Sequence, residues 1–551
     1  MDEHRASIGV RPVGSDPAAR GWRALTYGVP LGFLGLFFVF PLVTILERGL
    51  RADGGLASPL DVLTDPLTRD VVWFTAWQAV VSTALTIAVA LPAAYVLGRY
   101  SFPGRGAVRA LVTVPFVLPT VVVALAFLAI LPAGLERGWA AILIAHAFFN
   151  VAVVVRIVGG FWGSLDRRIS EAAATLGAGP WQSFREVTLP LLAPALAAAA
   201  AIVFLFSFTS FGIVLILGGP AYSTIEAEIY NQAVRIFDLR AAAVLSLVQL
   251  VFVAAVIWIA TRLESRLAVG GQLRSEEDVL RRPHGAGEKA LVMGSLGTLA
   301  LFLGAPLAVL VERSLAVGDG YSLDAYRALA EPTGALLATP WEAILNSVAY
   351  ATAATAIALV VGGLAAFGIA GSGATGGRRA RLLDGLLMLP LGASAVMLGF
   401  GFVIAFDTAP IDFRSEPWIV PVVQALVAVP FVVRIVAPTL RAIDQRQREA
   451  AAVLGAAPRR VRREIDLPIA GRALTVAAGF AFAISLGEFG ATVFLARPDA
   501  PTLPVAIFRF LGRPGELNVG QAYALAVILM VVVAVSVLSV ERAQARRTGW
   551  F

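Results

Sequence analysis

Long apolar blocks separated by short polar stretches dominate this chain. They lie at 24–46, 74–97, 111–131, 139–162, 191–217 and 241–260, and again at 291–311, 344–369, 382–406, 419–436, 474–495 and 522–540. Each approaches or exceeds the ~20 residues that an α-helix needs to cross about 30 Å of hydrocarbon. Twelve transmembrane helices are therefore expected, in an all-α membrane protein. The first block is too long for the apolar core of a cleavable leader, follows a polar tail, and lacks a small-residue cleavage site, so it is read as a retained helix.

Composition agrees: 58% of the 551 residues are hydrophobic and 15% charged, outside the balance of a soluble domain. There is no cysteine, which removes disulfides and thiolate metal sites. A net charge of +7 could point to nucleic acid, but the arginines sit beside alternate spans. Arg5, Arg11, Arg20 and Arg23 precede the first span; Arg99, Arg105 and Arg109 join the second and third; Arg378, Arg379 and Arg381 join the eighth and ninth; Arg542, Arg546 and Arg547 follow the last. The positive-inside rule makes those loops and both termini cytoplasmic, with the lipid bilayer rather than nucleic acid as the charge's partner. The loops 53–70 and 318–342 carry acids among fewer arginines, as the outer side should.

The chain also repeats itself. "EAAATLGAGPWQSFREVTLP" begins at Glu171 and "EAAAVLGAAPRRVRREIDLP" at Glu449, an offset of 278 positions. The same offset relates "VVVRIV" at Val153 to "FVVRIV" at Phe431, Asp166 to Asp444, and Phe211-Gly212 to Phe489-Gly490, while Pro115 corresponds to Pro390 at a slightly different one. Two six-span halves, 1–262 and 289–551, joined by a polar cytoplasmic linker at 263–288, follow from this. An even number of spans per half gives both the same orientation, related by an axis along the membrane normal, and the gap between equivalent halves is a natural substrate path. Both copies of the polar motif then face the cytoplasm.

Within the motif, Ser170 is expected to cap a short helix, with Glu171 at its positive end and Gly177 taking the left-handed conformation that stops it. Pro180 opens a second helix on which Trp181, Phe184 and Val187 make an apolar stripe outside the bilayer, and Leu189-Pro190 is expected to break it. One such stripe could rest on the lipid surface; two at equivalent positions favour paired docking on a two-fold partner.

The spacing E-A-A, three residues, G, nine residues, an aliphatic, one residue, L-P resembles the coupling-loop motif of inner-membrane permeases of ATP-binding-cassette importers. Glu171, Ala172, Ala173, Gly177, Val187, Leu189 and Pro190 fit it, as do Glu449, Ala450, Ala451, Gly455, Ile465, Leu467 and Pro468. The resemblance extends over essentially the whole chain, to fused permeases in which one polypeptide supplies both halves. It implies two copies of a cytoplasmic ATPase seated on the coupling helices and an extracytoplasmic substrate-binding protein. The second copy departs in placing Arg459 and Arg462 where the first has Trp181 and Phe184.

The chain carries no chemistry of its own. It lacks a G-x-x-x-x-G-K-[ST] phosphate loop, its single lysine, Lys289, has the wrong context, and His4, His146 and His284 have no metal-ligand spacing. Neither an enzyme nor a cofactor is expected. A proton-coupled secondary transporter could also have twelve spans in two repeats, but has no need of two docking loops. "AHAFFN", "LGGPAYSTIEAEIY", "SLGEFG" and "TLP" are similar to fused thiamine permeases, which puts thiamine or a related cation first. Ferric iron, whose permeases share the fused layout, and a polyamine are the alternatives.

Four residues are candidates for the path. His146 and Asn150 lie one turn apart in the fourth span, Gln424 replacing the histidine in the other half, and would either bond a neighbouring helix or line the path. Glu488, with Ser210 as its repeat-mate, falls about 21 Å from the inner end of the eleventh span at about 1.5 Å per residue. A carboxylate there should face the bundle interior, a water-filled path or a partner, and would favour a cation.

Overall fold

The computed structural model describes residues 17–548 apart from 53–54, 57, 268–279, 318–319, 333, 335, 371–377, 409–410 and 414–415. Arg5, Arg11 and the middle of the expected linker lie outside the described residues. In the first half, α1 (Pro17–Leu34) continues through a π-helical turn (Gly35–Val39) into α2 (Phe40–Leu50). Then come α3 (Pro66–Arg99), α4 (Arg105–Val117), α5 (Thr120–Ile130), α6 (Trp139–Trp162), α7 (Arg167–Thr175), α8 (Pro180–Ser183), α9 (Leu189–Phe208), α10 (Gly212–Leu217), α11 (Ile225–Tyr230) and α12 (Leu239–Leu267). The second half repeats the order. It comprises α13 (Gly285–Leu315), α14 (Pro340–Ala370), α15 (Arg378–Gly392), α16 (Ala395–Ala405), α17 (Ile419–Arg441), α18 (Gln445–Val453), α19 (Pro458–Val461), α20 (Leu467–Gly487), α21 (Thr492–Leu495), α22 (Leu503–Leu511) and α23 (Glu516–Thr548). Three hairpins of two-residue strands are the extended structure among the described residues.

Among the described residues ten helices are long and apolar enough to cross a membrane, and the number is twelve when each of two bent pairs counts as one span. The third and ninth expected spans are these bent pairs: α4 meets α5 at 99° and the helices on either side of Ser394 meet at 89°. Leu118 precedes Pro119 and is extended, with ψ of 139°, because a residue before proline is driven out of the α region. The fifth span stops at Phe208 and the eleventh at Gly487, short of the expected 217 and 495. The chain then turns back through α10 and α11, or α21 and α22, before the last span of each half.

Leu189-Pro190 does not break its helix. Pro180–Phe208 is one continuous span, and so is Pro458–Gly487. Just before each proline the helix widens into a π turn, at Phe184–Thr188 and Arg462–Asp466, and a third such turn at Gly35–Val39 precedes Pro41. A proline inside an α-helix removes an i−4 hydrogen bond and pushes on that carbonyl. The wider turn avoids this, since Leu189 N–H donates to Phe184 and Leu467 N–H to Arg462, five residues back.

The halves are interlocked. α5 packs on α13 and α23 of the other half, α16 on α2 and α11, and α1 on α14. Helix extends into both ends of the expected linker, since α12 runs to Leu267 and α13 starts at Gly285. Its end is docked: Ser101 N–H donates to Arg281 O at 2.8 Å, Arg281 N–H to Arg99 O at 3.1 Å, and Arg281 pairs with Glu288.

Where α3 crosses α6, small residues permit backbone contact. A Cβ on Gly98 would lie 2.6 Å from Gly159 O, and one on Gly159 3.1 Å from Ala94 O. Gly98→Ala should therefore destabilise the detergent-solubilised protein by about 1–3 kcal/mol, read as a lower midpoint in a fluorescence melt. Gly160→Ala, whose Cβ meets nothing within 4 Å, should leave the midpoint unchanged or raise it through helix propensity.

Candidate coupling loops and central axis

The two polar motifs fold alike. α7 and α18 begin at equivalent positions, and the cap is Asp166 in one and Asp444 in the other, accepting from Arg168 N–H and Arg446 N–H at 2.9 Å each. Ser170, expected to be the cap, is instead inside α7, because the aspartate four residues earlier already satisfies the helix start. At the other end Gly177 and Gly455 have φ of +88° and +80°. Gly177 N–H donates to Ala174 O at 3.0 Å and Ala178 N–H to Ala173 O at 3.1 Å; Gly455 to Ala452 and Ala456 to Ala451 repeat the pattern at 3.0 and 2.9 Å. This is the left-handed helix stop that glycine favours, so the motif's glycine fixes the angle between its two helices.

The stop leaves apolar side chains in the open. Leu176 is 89% exposed and its repeat-mate Leu454 87%. Glu171, Ala172, Glu449 and Ala450 are exposed beside them. Trp181 is exposed, whereas Phe184 turns inward and stacks on Trp162 at 6.2 Å. In the second copy Arg459 is exposed, and Arg462 lies over the ring of Trp22 at 5.0 Å. Ile465 is half-buried, and Pro190 and Pro468 lie on the exposed face of the helix entry. Arg448 also pairs with Asp466 at 2.9 Å, a brace for which the first copy has Thr188 in the aspartate's place.

At the far end of the helices that rise from these loops, equivalent residues of the two halves touch. Phe211 stacks on Phe489 at 5.3 Å, and Tyr230 meets Phe508, its counterpart at the same offset of 278, at 6.4 Å. Phe211–Tyr230 at 5.6 Å and Phe489–Phe508 at 5.5 Å close a ring of four aromatics. A position meets its own repeat-mate only on the symmetry axis, so this quartet marks it. The axis helices are held alike: Thr75 Oγ1 accepts from Ile225 N–H at 2.9 Å, and Ser347 Oγ from Leu503 N–H at 2.6 Å.

Comparison with known proteins gives this architecture a family. Residues 90–269 and 358–549 each match the family described as "Binding-protein-dependent transport system inner membrane component". The chain belongs to this family. Among curated proteins the permease is 30% identical to the "Thiamine transport system permease protein ThiP" of Brucella abortus (strain 2308), over 94% of this chain and 96% of that one. It is 28% identical to the protein of the same name from Escherichia coli (strain K12), over 85% and 88%. A third relative, the "Sulfate transport system permease protein CysT" of Escherichia coli (strain K12), is 32% identical over 44% of this permease and 92% of its own length. The permease is thus a multi-pass inner-membrane protein of two fused halves, and its relatives are transport proteins rather than enzymes.

The candidate path residues occupy two different places in the permease. His146 and Asn150 are fully buried in α6, where His146 Nδ1 meets Ser82 Oγ of α3 at 3.1 Å and Asn150 Nδ2 donates to His146 O at 3.0 Å. Ser210 and Glu488 are buried next to Phe211 and Phe489, at the axis. Glu488 accepts from Ala491 N–H at 2.7 Å and Thr492 N–H at 3.0 Å, while Thr492 Oγ1 donates to Glu488 O at 2.8 Å. Both carboxylate oxygens thus serve the start of α21.

Sequence reasoning missed Glu226. It is 1% exposed on α11 and accepts from Gln249 Nε2 of α12 and from Ser394 Oγ of the second half, the latter at 3.0 Å. The signal that could have found it is an acidic residue amid apolar ones in "STIEAEIY", a stretch that carries the family resemblance as well.

Glu488→Gln tests the capping geometry. The amide can accept one backbone N–H but turns its NH2 toward the other, leaving buried donors face to face at a cost of about 1–3 kcal/mol. A clearly lower melting midpoint is expected, and an unchanged one would remove the capping role.

Proposed function

We propose that this permease imports thiamine, handed over by an extracytoplasmic binding protein and driven by two cytoplasmic ATPase subunits, one on each coupling loop. The observation that carries the substrate is full-length similarity to permeases named for thiamine, across both halves and the linker, where the sulfate permease aligns with less than half of the chain. Two exposed leucines at equivalent places, Leu176 and Leu454, support the paired docking, since an apolar side chain projecting from a polar loop calls for a protein partner. Hydrolysis of ATP belongs to those partners, and both termini lie on their side of the membrane. The domain division is the two halves at 1–262 and 289–551 with the linker between.

Within the membrane we assign Ser210 and Glu488 to the wall of the path beside the axis, and His146, with Asn150 bonded to its carbonyl inside α6, to bridging helices α3 and α6. A proton-driven carrier gains no support from a family defined by dependence on a binding protein.

The test is reconstitution with the ATPase and binding protein of its own transport system. The permease should capture the ATPase at two copies per chain and accumulate thiamine, not sulfate, only with ATP; thiamine uptake without the ATPase would overturn the reading. Coupling has its own signature. A Cβ on Gly177 or Gly455 would meet nothing within 4 Å, yet both glycines sit at positive φ, where a β-branched residue is strained by about 1–3 kcal/mol. A Gly177→Val, Gly455→Val pair should keep normal membrane levels and ATP hydrolysis while uptake falls roughly tenfold or more. Wild-type uptake by that variant would count against the loops as couplers.

A further inference from the structure

The central axis holds more than a packing contact. We propose that it is a transit site for an organic cation, closed in this structure by the ring of Phe211, Tyr230, Phe489 and Phe508, with Glu226 as the counter-charge. The choice of a cation rests on the thiamine reading, because the thiazolium ring of thiamine is positively charged.

The quartet lies where a gate has to lie. A route between two equivalent halves follows their shared axis, and these four rings span it. They stand beyond the end of the Pro180–Phe208 helix, about 40 Å from the coupling loop at 1.5 Å per residue. Two rings come from each half, so separating the halves at this end opens the ring without unfolding anything. Aromatic faces carry negative potential and attract cations within about 6 Å of the ring centroid. Tyr230 already engages one, the Arg235 guanidinium, 5.8 Å from its centroid.

Glu226 supplies what the rings cannot. It lies one turn before Tyr230 on α11, and both residues contact the second half, Glu226 through Ser394 and Tyr230 through Phe494 and Phe508. Its carboxylate is held by two neutral donors, and among the described residues it makes no ion pair. A carboxylate buried among neutral groups is costly and calls for a positive partner. Ser394 belongs to the opposite half, so opening withdraws it and frees an oxygen beside the rings. Glu488 behaves differently, since its oxygens hold backbone N–H groups of its own loop and travel with it. The repeat-mate of Glu226 is Pro504, so the first half alone supplies this carboxylate.

The chain contains no cysteine, which allows a clean cross-linking test. In the complex with its ATPase, a Phe211→Cys, Phe489→Cys pair should be joined by a short bifunctional thiol reagent without nucleotide, and escape it when ATP is trapped with vanadate. Equal cross-linking in both states would overturn the axis as the passage. If that pair fails to accumulate, Tyr230→Cys with Phe508→Cys reads the same ring. Charge is tested by Glu226→Gln with two probes, thiamine and a neutral analogue in which thiophene replaces thiazolium. Thiamine uptake should fall at least roughly tenfold while uptake of the neutral analogue is unchanged. Undiminished thiamine uptake, or equal loss of both, would overturn the counter-charge. If the wild type imports neither compound while cross-linking still responds to ATP, the thiamine assignment falls and the axial gate stands.

Discussion

Everything central in this permease depends on Phe211 meeting Phe489. In a chain built from two parallel copies, the surface each copy offers to the axis must fit itself, and flat rings stacked at 5.3 Å do so with little demand on register. The neighbouring positions are correspondingly small. A Cβ on Gly212 would strike Thr120, and one on Gly490 would meet Ala395, so the turn after each fifth span rests directly on the second arm of a broken third span. Hydroxyls on the second span of each half then pin the short axial helices. The broken spans, the interlocked first helices and the short axial helices are consequences of bringing two copies of one surface together.

The other dependence is mechanical. The polar loops and the axis are joined by single helices of 29 and 30 residues, Pro180–Phe208 and Pro458–Gly487. A kink at Pro190 or Pro468 would absorb movement of a coupling helix locally. The π turns let the two helices pass Pro190 and Pro468 without a break, so each is one continuous element from the loop to the residues beside the ring.

Much of this was legible in the sequence because the repeat leaves two readings of every element. Glu171 to Pro190 and Glu449 to Pro468 disclosed the two polar helix-turn-helix loops, and Gly177 disclosed its own backbone, since a stop between two short helices needs positive φ. Periodicity could not reveal that the apolar block 111–131 bends by 99° at Leu118-Pro119, because no charged residue interrupts it across the break. Local rules also compete: Ser170 is a good cap, but Asp166 is a better one a turn earlier. Pro190 reads as a breaker until the widened turn before it is seen. Glu226 was hidden for another reason, since its partners, Gln249 and Ser394, lie 23 and 168 positions away.

The bracing of the second polar loop has a consequence for how force enters the molecule. There Arg448 ties the coupling helix to Asp466 at the foot of the next span, and Arg462 rests on Trp22 from the opposite end of the chain. The first loop has Phe184 stacked against its own half and Thr188 where the aspartate would be. Force applied at the two loops of this frame meets unequal stiffness, a strut on one side and a crank on the other. A homodimer must build both sides alike; a fused chain is free to make one side the pivot about which the other turns.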